Sequence, residues 1–261
     1  MCRPAHFTVD YSINPWMEPA KPTDGARAVA QWERLYALFR DLGHTVELID
    51  PVPGLPDMVF AANGATVVDG TALVARFHHP ERADESPAHL EWFRARGYRT
   101  VVQAGFSNEG EGDHLLVGER ILAGTGFRTD RRAHAEAERV LGRPVVTLEL
   151  VDPRYYHLDT ALAVLADDEV MYYPAAFSPQ SRATLAALYP DAVLATDEDA
   201  AVFGLNAVSD GHRVVLPEAA TGLAARLRAR GFEPIGIDVT ELLKAGGSVK
   251  CCTLELRGAP A

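Results

Sequence analysis

A recurring pattern of amphipathic helix, short strand, loop and β-hairpin is the feature that most constrains the fold of this chain. It recurs about five times along the sequence. The helix and the strand after it are predicted at residues 29–49, 89–102, 134–148, 181–194 and 222–235. In each unit a Gly, or a Pro-Asp pair, stands where the helix should stop. The pattern therefore predicts a chain built from repeated α/β units.

Hairpins complete these units, since apolar runs flank a turn in four further places. The predicted turns are at residues 69–70, 118–119, 167–168 and 210–211. A last strand at residues 252–256 needs a partner, which residues 7–9 can supply. Pairing of these two segments would remove the open edge of the assembly. The sequence thus predicts a single-domain α/β propeller over residues 1–261, with fivefold pseudo-symmetry.

Polar residues that are unusual in apolar surroundings fall at one equivalent place, where the first strand of each hairpin begins. They are Asn63, Glu109 to Asp113, His157 with Asp159, Asn206 and Cys251. In a pseudo-symmetric ring, equivalent positions converge near the axis. Residues scattered over the chain are therefore predicted to share one pocket.

A Cys, a His and a carboxylate in one pocket can form a nucleophile, an acid/base and a group that orients it. Free cysteine has a pKa near 8.5, so Cys251 would need a cationic neighbour or a base such as His157. Gly246 and Gly247 allow the backbone to approach a ligand closely. From the residues alone, structural roles stay open for all of these positions.

Composition excludes several other functions. The net charge is -11, and no stretch concentrates Lys and Arg as nucleic-acid binding requires. No apolar run approaches the roughly 18 residues of a membrane span, and no signal peptide is visible, so a cytoplasmic protein is expected. Three cysteines, two of them adjacent, predict reduced thiols. No zinc-ligand spacing and no glycine-rich nucleotide motif are present, so neither a metal nor a cofactor is expected.

Four segments resemble the guanidino-group-modifying enzymes, or penteins, in the family's order along the chain. They are Pro56-Asp57-x-Val59-Phe60, Glu109-Gly110-x-Gly112-Asp113, His157-Leu158-Asp159-Thr160 and Gly246-Gly247-x-Val249-Lys250-Cys251-x-Thr253-Leu254. This family includes dimethylarginine dimethylaminohydrolases, arginine deiminases, arginine dihydrolases and amidinotransferases. Its fold is the fivefold α/β propeller that the repeat pattern predicts.

The resemblance implies a role for each matching residue. Cys251 would attack the guanidinium carbon, and His157 would protonate the departing amine and then activate water. Glu109 would orient His157, with Glu111 as a competing candidate because the spacing of these carboxylates differs from the family's usual one. The remaining candidates would bind a small cationic guanidino substrate: Asp113 on the guanidinium side or as a structural carboxylate, Arg128 and Arg82 at the α-carboxylate, and Asp57 at the α-amine.

Two positions bear on the choice of substrate. Asp159 resembles the carboxylates with which deiminases and amidinotransferases hold unsubstituted guanidinium nitrogens, so plain arginine is favoured. Asn63, together with Asn14, resembles the arginine dihydrolases. The leading hypothesis is therefore an arginine dihydrolase that forms ornithine, ammonia and carbon dioxide. A dimethylarginine dimethylaminohydrolase, forming citrulline and dimethylamine, is the alternative. An amidinotransferase, a non-catalytic binding protein of this fold and homo-oligomerisation stay open.

Overall fold

A computed structural model describes residues 1–258 and contains twelve strands and eight α-helices in that part of the chain. The strands are β1 (Ala65–Val68), β2 (Thr71–Val74), β3 (Thr100–Gln103), β4 (His114–Val117), β5 (Arg120–Thr125), β6 (Val145–Glu149), β7 (Leu162–Ala166), β8 (Glu169–Tyr172), β9 (Val193–Leu194), β10 (Val208–Ser209), β11 (Arg213–Pro217) and β12 (Glu233–Ile237). The helices are α1 (Gly25–Asp41), α2 (Pro80–Ala83), α3 (Glu85–Ala95), α4 (Arg132–Leu141), α5 (Pro179–Leu188), α6 (Asp197–Ala201), α7 (Thr221–Ala229) and α8 (Thr240–Leu243). The last three residues of the predicted domain, 259–261, lie outside the described part. None of the helices combines the length and the apolar character needed to span a bilayer.

The strands form four separate three-stranded sheets, each built from consecutive strands. In every sheet the first two strands form an antiparallel hairpin, and the third strand pairs in parallel with the second. The parallel strand is reached through at least one helix, as the geometry of a parallel connection requires. The predicted α/β pentein propeller built of ββαβ units is confirmed as the fold class.

Glycines end the helices where the sequence predicts. Gly43, Gly97, Gly142 and Gly231 follow α1, α3, α4 and α7, and each has a positive φ between 66° and 94°. Residues with a Cβ rarely adopt this left-handed conformation, whereas glycine does so without steric cost. These glycines therefore determine where each helix ends and the chain changes direction toward the next segment.

The apolar core joins the units to one another. One cluster includes Leu115, Leu158 and Leu205, which belong to the second, third and fourth units. A second cluster packs Trp32 and Leu35 of α1 against residues near Cys251. Full burial of such a side chain contributes roughly 1.5–3 kcal/mol, so these contacts hold neighbouring units together.

The fifth unit differs from the prediction. Residues 252–256 and 7–9 do not form strands, and within residues 1–258 the segment 44–49 has a single β-bridge, a parallel one between Ile49 and Cys2. The chain around Cys251 forms turns instead, because Thr253 N–H donates to the Lys250 carbonyl at 2.9 Å. These local bonds satisfy backbone groups that a strand would offer to a partner. The predicted pairing of 252–256 with 7–9 is therefore wrong, and Cys251 lies on a turn.

Candidate active site

The predicted polar residues lie together in the interior. Short 3-10 helices at Ala61–Gly64, Gly110–Gly112 and Leu158–Thr160 lead into β1, β4 and β7. They carry the candidate side chains into one region, where each of the following is at most 2% exposed: Asn63, Glu109, Asp113, His157, Asp159 and Cys251. Contacts between these side chains link four different units. The predicted convergence of equivalent positions is thus seen in the geometry.

The Cys251 thiol lies between Asp159 and Asn206. Its sulfur is 3.4 Å from Asp159 Oδ2 and 3.1 Å from Asn206 Nδ2. Burial and the neighbouring Asp159 carboxylate raise the pKa of Cys251 well above its usual range. The resting site therefore holds a protonated thiol, and a cation placed beside the sulfur would favour the thiolate.

Two carboxylates hold His157, one at each ring nitrogen. Nδ1 lies 3.0 Å from Asp113 Oδ2, and Nε2 lies 3.2 Å from Glu109 Oε2. Burial alone lowers the pKa of His157, but hydrogen bonds and charge from Asp113 and Glu109 outweigh it and raise the pKa to about 9. At neutral pH the ring is an imidazolium, so it can give a proton to a departing amine.

The two candidates for the acid beside His157 have different surroundings. Burial favours protonated Glu109, yet Arg128 and His157 hold its pKa well below the usual range, so it is ionised. Glu111 instead accepts from Lys250 Nζ at 2.7 Å and from Arg257 Nη1 at 2.7 Å. The contacts thus favour Glu109 over Glu111.

Asp113 has a more central position than the resemblance implied. Its Oδ2 accepts from Thr129 Oγ1 at 2.7 Å, and its Oδ1 accepts from Leu158 N–H at 3.1 Å. These bonds fix the carboxylate against Nδ1 of His157. The geometry therefore places Asp113 at Nδ1 of His157 and Glu109 at Nε2 of the same ring.

Both arginines proposed for the α-carboxylate are engaged with the protein. Arg82 forms a bidentate pair with Glu85, with both N···O distances at 2.8 Å, and also donates to Asn63 Oδ1 at 2.8 Å. Arg128 donates to Glu109 Oε2 at 2.8 Å and to the Ile13 carbonyl at 2.9 Å. Glu85 therefore occupies the guanidinium fork of Arg82, whereas Arg128 pairs with the carboxylate that contacts His157.

Two buried carboxylate oxygens have no hydrogen-bond partner among residues 1–258. They are Oδ1 of Asp57 and Oδ1 of Asp159. The other oxygen of Asp57 accepts from Tyr11 at 2.8 Å. Burial raises the pKa of both carboxyls, that of Asp159 to about 6. Unpaired buried oxygens are costly unless a ligand satisfies them, so both suit a cationic substrate.

Asn14 contacts the turn that carries the nucleophile. Its Nδ2 donates to the Ala245 carbonyl at 3.1 Å, and its Oδ1 accepts from Trp16 N–H at 2.9 Å. The side chain therefore supports the segment before Cys251, and both polar atoms are occupied by backbone groups.

Sequence reasoning assigned no role to two residues of this site. Thr129 bridges the backbone of Glu109 and the carboxylate of Asp113, and a hydroxyl in a loop gives no signal of that role. Asn206 touches the nucleophile itself. Its signal was present in the sequence, because it occupies the fourth equivalent position of the repeat.

Comparisons with known proteins place this chain in a family. The family model for N,N dimethylarginine dimethylhydrolase, eukaryotic, matches residues 3–258. A dimethylarginine dimethylaminohydrolase from Mycobacterium tuberculosis is 60% identical over 98% of this chain and 84% of its own length. The chain belongs to the dimethylarginine dimethylaminohydrolase family.

Arginine dihydrolases are also similar to this chain. The bifunctional arginine dihydrolase/ornithine cyclodeaminase AgrE from Nostoc sp. is 38% identical over 98% of this chain, which spans 37% of AgrE. The substrate-bound N-terminal domain of cyanobacterial ArgZ, a cysteine-to-serine variant, superposes with a TM-score of 0.94 at 35% identity, covering 98% of this chain and 97% of that domain. The chain is therefore a hydrolase of arginine-type guanidino groups that acts on carbon-nitrogen bonds.

Proposed function

We propose that this hydrolase acts on Nω,Nω-dimethyl-L-arginine and releases citrulline and dimethylamine. The relative that is 60% identical along nearly the whole chain is the observation that carries the proposal. It reverses the order of the two hypotheses from the sequence, in which the arginine dihydrolase stood first.

The geometry beside His157 supports the methylated substrate. Asn63 Nδ2 lies 3.4 Å from His157 Nε2, so Asn63 borders the place where the departing nitrogen must sit. The Asn63 oxygen is taken by Arg82, and Glu109 Oε2 is already shared by Arg128 and His157. A dimethylated nitrogen has no N–H to donate and needs no further acceptor there. An unsubstituted nitrogen would leave its hydrogens poorly paired.

The proposed reaction has two steps. The Cys251 thiolate forms a bond to the guanidinium carbon, and the carbon-nitrogen bond to dimethylamine breaks as His157 supplies the proton. The neutral imidazole then takes a proton from water, which adds to the amidino-thioether carbon. The adduct then expels the Cys251 thiolate and gives up its hydroxyl proton, which leaves citrulline. The imidazolium is restored, and dimethylamine takes up the released proton in solution.

The carboxylates would hold the substrate cation. The unpaired Oδ1 of Asp159 would accept from the guanidinium nitrogens that are not methylated, and the unpaired Oδ1 of Asp57 would accept from the α-ammonium. Placing the cation beside the sulfur would also favour the thiolate, since opposite charges in a buried site stabilise each other.

Arginine dihydrolase activity is the second candidate. Asn63 carries a neutral amide, as the resemblance to dihydrolases implied, and the similarity to the substrate-bound ArgZ domain covers 98% of this chain. In that case His157 would activate water twice and the product would be ornithine.

Product analysis separates the two candidates. The enzyme is incubated with dimethylarginine and, separately, with L-arginine, and the products are identified by mass spectrometry. Citrulline and dimethylamine from the first substrate are expected, with little turnover of the second. Ornithine and ammonia from L-arginine, without turnover of dimethylarginine, would overturn the proposal in favour of the dihydrolase.

The neighbouring cysteine provides a matched control for the nucleophile. Cys251→Ser should abolish turnover of dimethylarginine with little change in the melting temperature. Cys252 is equally buried but makes no hydrogen bond with Asp159 or Asn206, so Cys252→Ser should remain active. An active Cys251→Ser variant would refute this nucleophile.

A further inference from the structure

The side chain of Asn206 contacts the nucleophile at two atoms. Its Oδ1 accepts from the Cys251 backbone N–H at 3.1 Å, and its Nδ2 lies 3.1 Å from the Cys251 sulfur. The same Nδ2 donates to the Asp159 carbonyl at 3.1 Å. Asn206 is fully buried and comes from the fourth unit, whereas Cys251 belongs to the fifth. The contact therefore joins two units across the site.

The surrounding groups fix the orientation of this amide. A flipped amide would point its NH2 group at the backbone N–H of Cys251 and its oxygen at the carbonyl of Asp159. The first contact would then bring two donors together, and the second would bring two acceptors together. Only the observed orientation satisfies the amide, so an N–H of Asn206 must face the sulfur.

A buried thiolate needs such a donor. Burial and Asp159 both disfavour the ionised sulfur, whereas a backbone hydrogen bond from Ser248 favours it. In this structure both ring nitrogens of His157 contact carboxylates, those of Asp113 and Glu109, so neither nitrogen donates to the sulfur here. Asn206 is the side chain that donates to the sulfur within residues 1–258.

We propose that Asn206 is a catalytic residue, whose amide N–H stabilises the Cys251 thiolate while its oxygen holds the backbone of the nucleophile in place. The inference rests on the proposed function in that Cys251 is the nucleophile. It does not depend on which guanidino substrate reacts.

Alkylation of Cys251 by iodoacetamide tests the proposal without any substrate. Rates are measured against pH in a Cys252→Ser background for Asn206→Asp and Asn206→Ala, with turnover measured in parallel. Asn206→Asp keeps the shape but replaces the donor with a carboxylate oxygen. Ser209→Ala is the matched control, because Ser209 lies on β10 of the same unit and, among residues 1–258, its hydroxyl bonds only to the Leu165 carbonyl and Gly211 N–H.

Both Asn206 variants should shift the midpoint of alkylation to higher pH by about one unit or more, and Asn206→Asp should shift it further. The kcat should fall roughly 10- to 100-fold, as expected for the loss of a hydrogen bond to a charged group, while KM changes little. Ser209→Ala should behave like the parent enzyme.

An unchanged alkylation midpoint in Asn206→Ala would overturn the proposal, even if the melting temperature falls, because it would leave Asn206 with a structural role only. Should Asn206→Asp fail to fold, Asn206→Ala carries the test alone. Failure of the wild-type enzyme to convert dimethylarginine would count against the proposed function. The alkylation midpoints would still decide the role of Asn206.

Discussion

At the residue scale, the site contains a chain of buried charges in which two carboxylates share one imidazole. Asp113 and Glu109 bracket the imidazole of His157, and Arg128 neutralises Glu109. Opposite charges keep His157 and Glu109 ionised despite their burial. The His157 proton is therefore retained at neutral pH, which suits an acid that must meet a leaving amine.

The high pKa of His157 predicts a falling limb in the pH profile of kcat/KM near pH 9. The group is raised above its ordinary value, so its proton is present at lower pH and is lost as the pH rises through about 9. Asp113→Asn removes a charge that raises the pKa, and the limb should move to lower pH with kcat reduced roughly 100-fold. If the falling limb of Asp113→Asn lies at the same pH as in the parent enzyme, Asp113 does not raise the pKa of His157.

Glu109 and Glu111 can be separated by their substitution with Gln. Glu109→Gln breaks the contact with His157 Nε2, so kcat should fall roughly 100-fold. Glu111→Gln weakens buried pairs with Lys250 and Arg257 and should instead lower the free energy of unfolding by roughly 3 kcal/mol. Glu119→Gln is the control, since Glu119 is exposed and pairs only loosely with Arg143. Chemical denaturation and steady-state kinetics measure both effects. A 100-fold loss of kcat in Glu111→Gln, with no such loss in Glu109→Gln, would instead make Glu111 the partner of His157.

At the element scale, the turn that carries Cys251 is held by contacts on both sides. Tyr156 donates to the Gly246 carbonyl at 2.6 Å, and Asn14 donates to Ala245. Gly246 has a φ of +80°, and a Cβ on it would lie 2.6 Å from Asn14 Oδ1. Only glycine fits this position without a clash, so the conformation of the turn requires a residue that has no Cβ.

Gly246→Ala should therefore lower both the melting temperature and kcat. Gly211→Ala is a matched control, because its φ is +91° but a Cβ there meets nothing within 4 Å. Both variants carry the backbone penalty of roughly 1–2 kcal/mol, and only Gly246→Ala adds the clash. In calorimetry, the melting temperature of Gly246→Ala should fall several degrees further than that of Gly211→Ala. Equal falls would mean that Asn14 moves aside at no cost.

At the scale of the whole molecule, apolar contacts cross the boundaries between units, so we expect residues 1–258 to unfold as one domain. The shared cluster of Leu115, Leu158 and Leu205 is the physical reason. Scanning calorimetry should give one transition, with calorimetric and van't Hoff enthalpies that agree. Two resolved transitions would show that the chain contains separate domains.

Much of this architecture could be predicted because its signals are local. Glycines at helix ends and turn residues between apolar runs depend on backbone preferences, which neighbours in sequence determine. The fifth unit could not be predicted, since its segments are far apart in the chain and the turn at Lys250 to Thr253 competes with pairing.

The positions of the candidate site residues could be predicted, but their partners could not. The repeat brought Asn63, His157 and Cys251 together without any knowledge of coordinates. Which carboxylate faces which nitrogen depends on tertiary packing: Asp113 lies at Nδ1 of His157 and Glu109 at Nε2, and the spacing of these residues in sequence does not determine this. The buried pair of Arg82 with Glu85, which begins the next helix, is likewise a contact that the sequence does not reveal.

The late place of the nucleophile along the chain has a consequence during synthesis. Asn63, Glu109 and His157 leave the ribosome long before Cys251, and the turn at Cys251 is anchored to the early part of the chain through the Ala62 N–H. A nascent chain thus has no thiol beside Asp159 and His157 until Cys251 itself has been synthesised and its turn has formed. Free arginine derivatives in the surrounding fluid therefore meet a reactive centre only after these segments of the chain have come together.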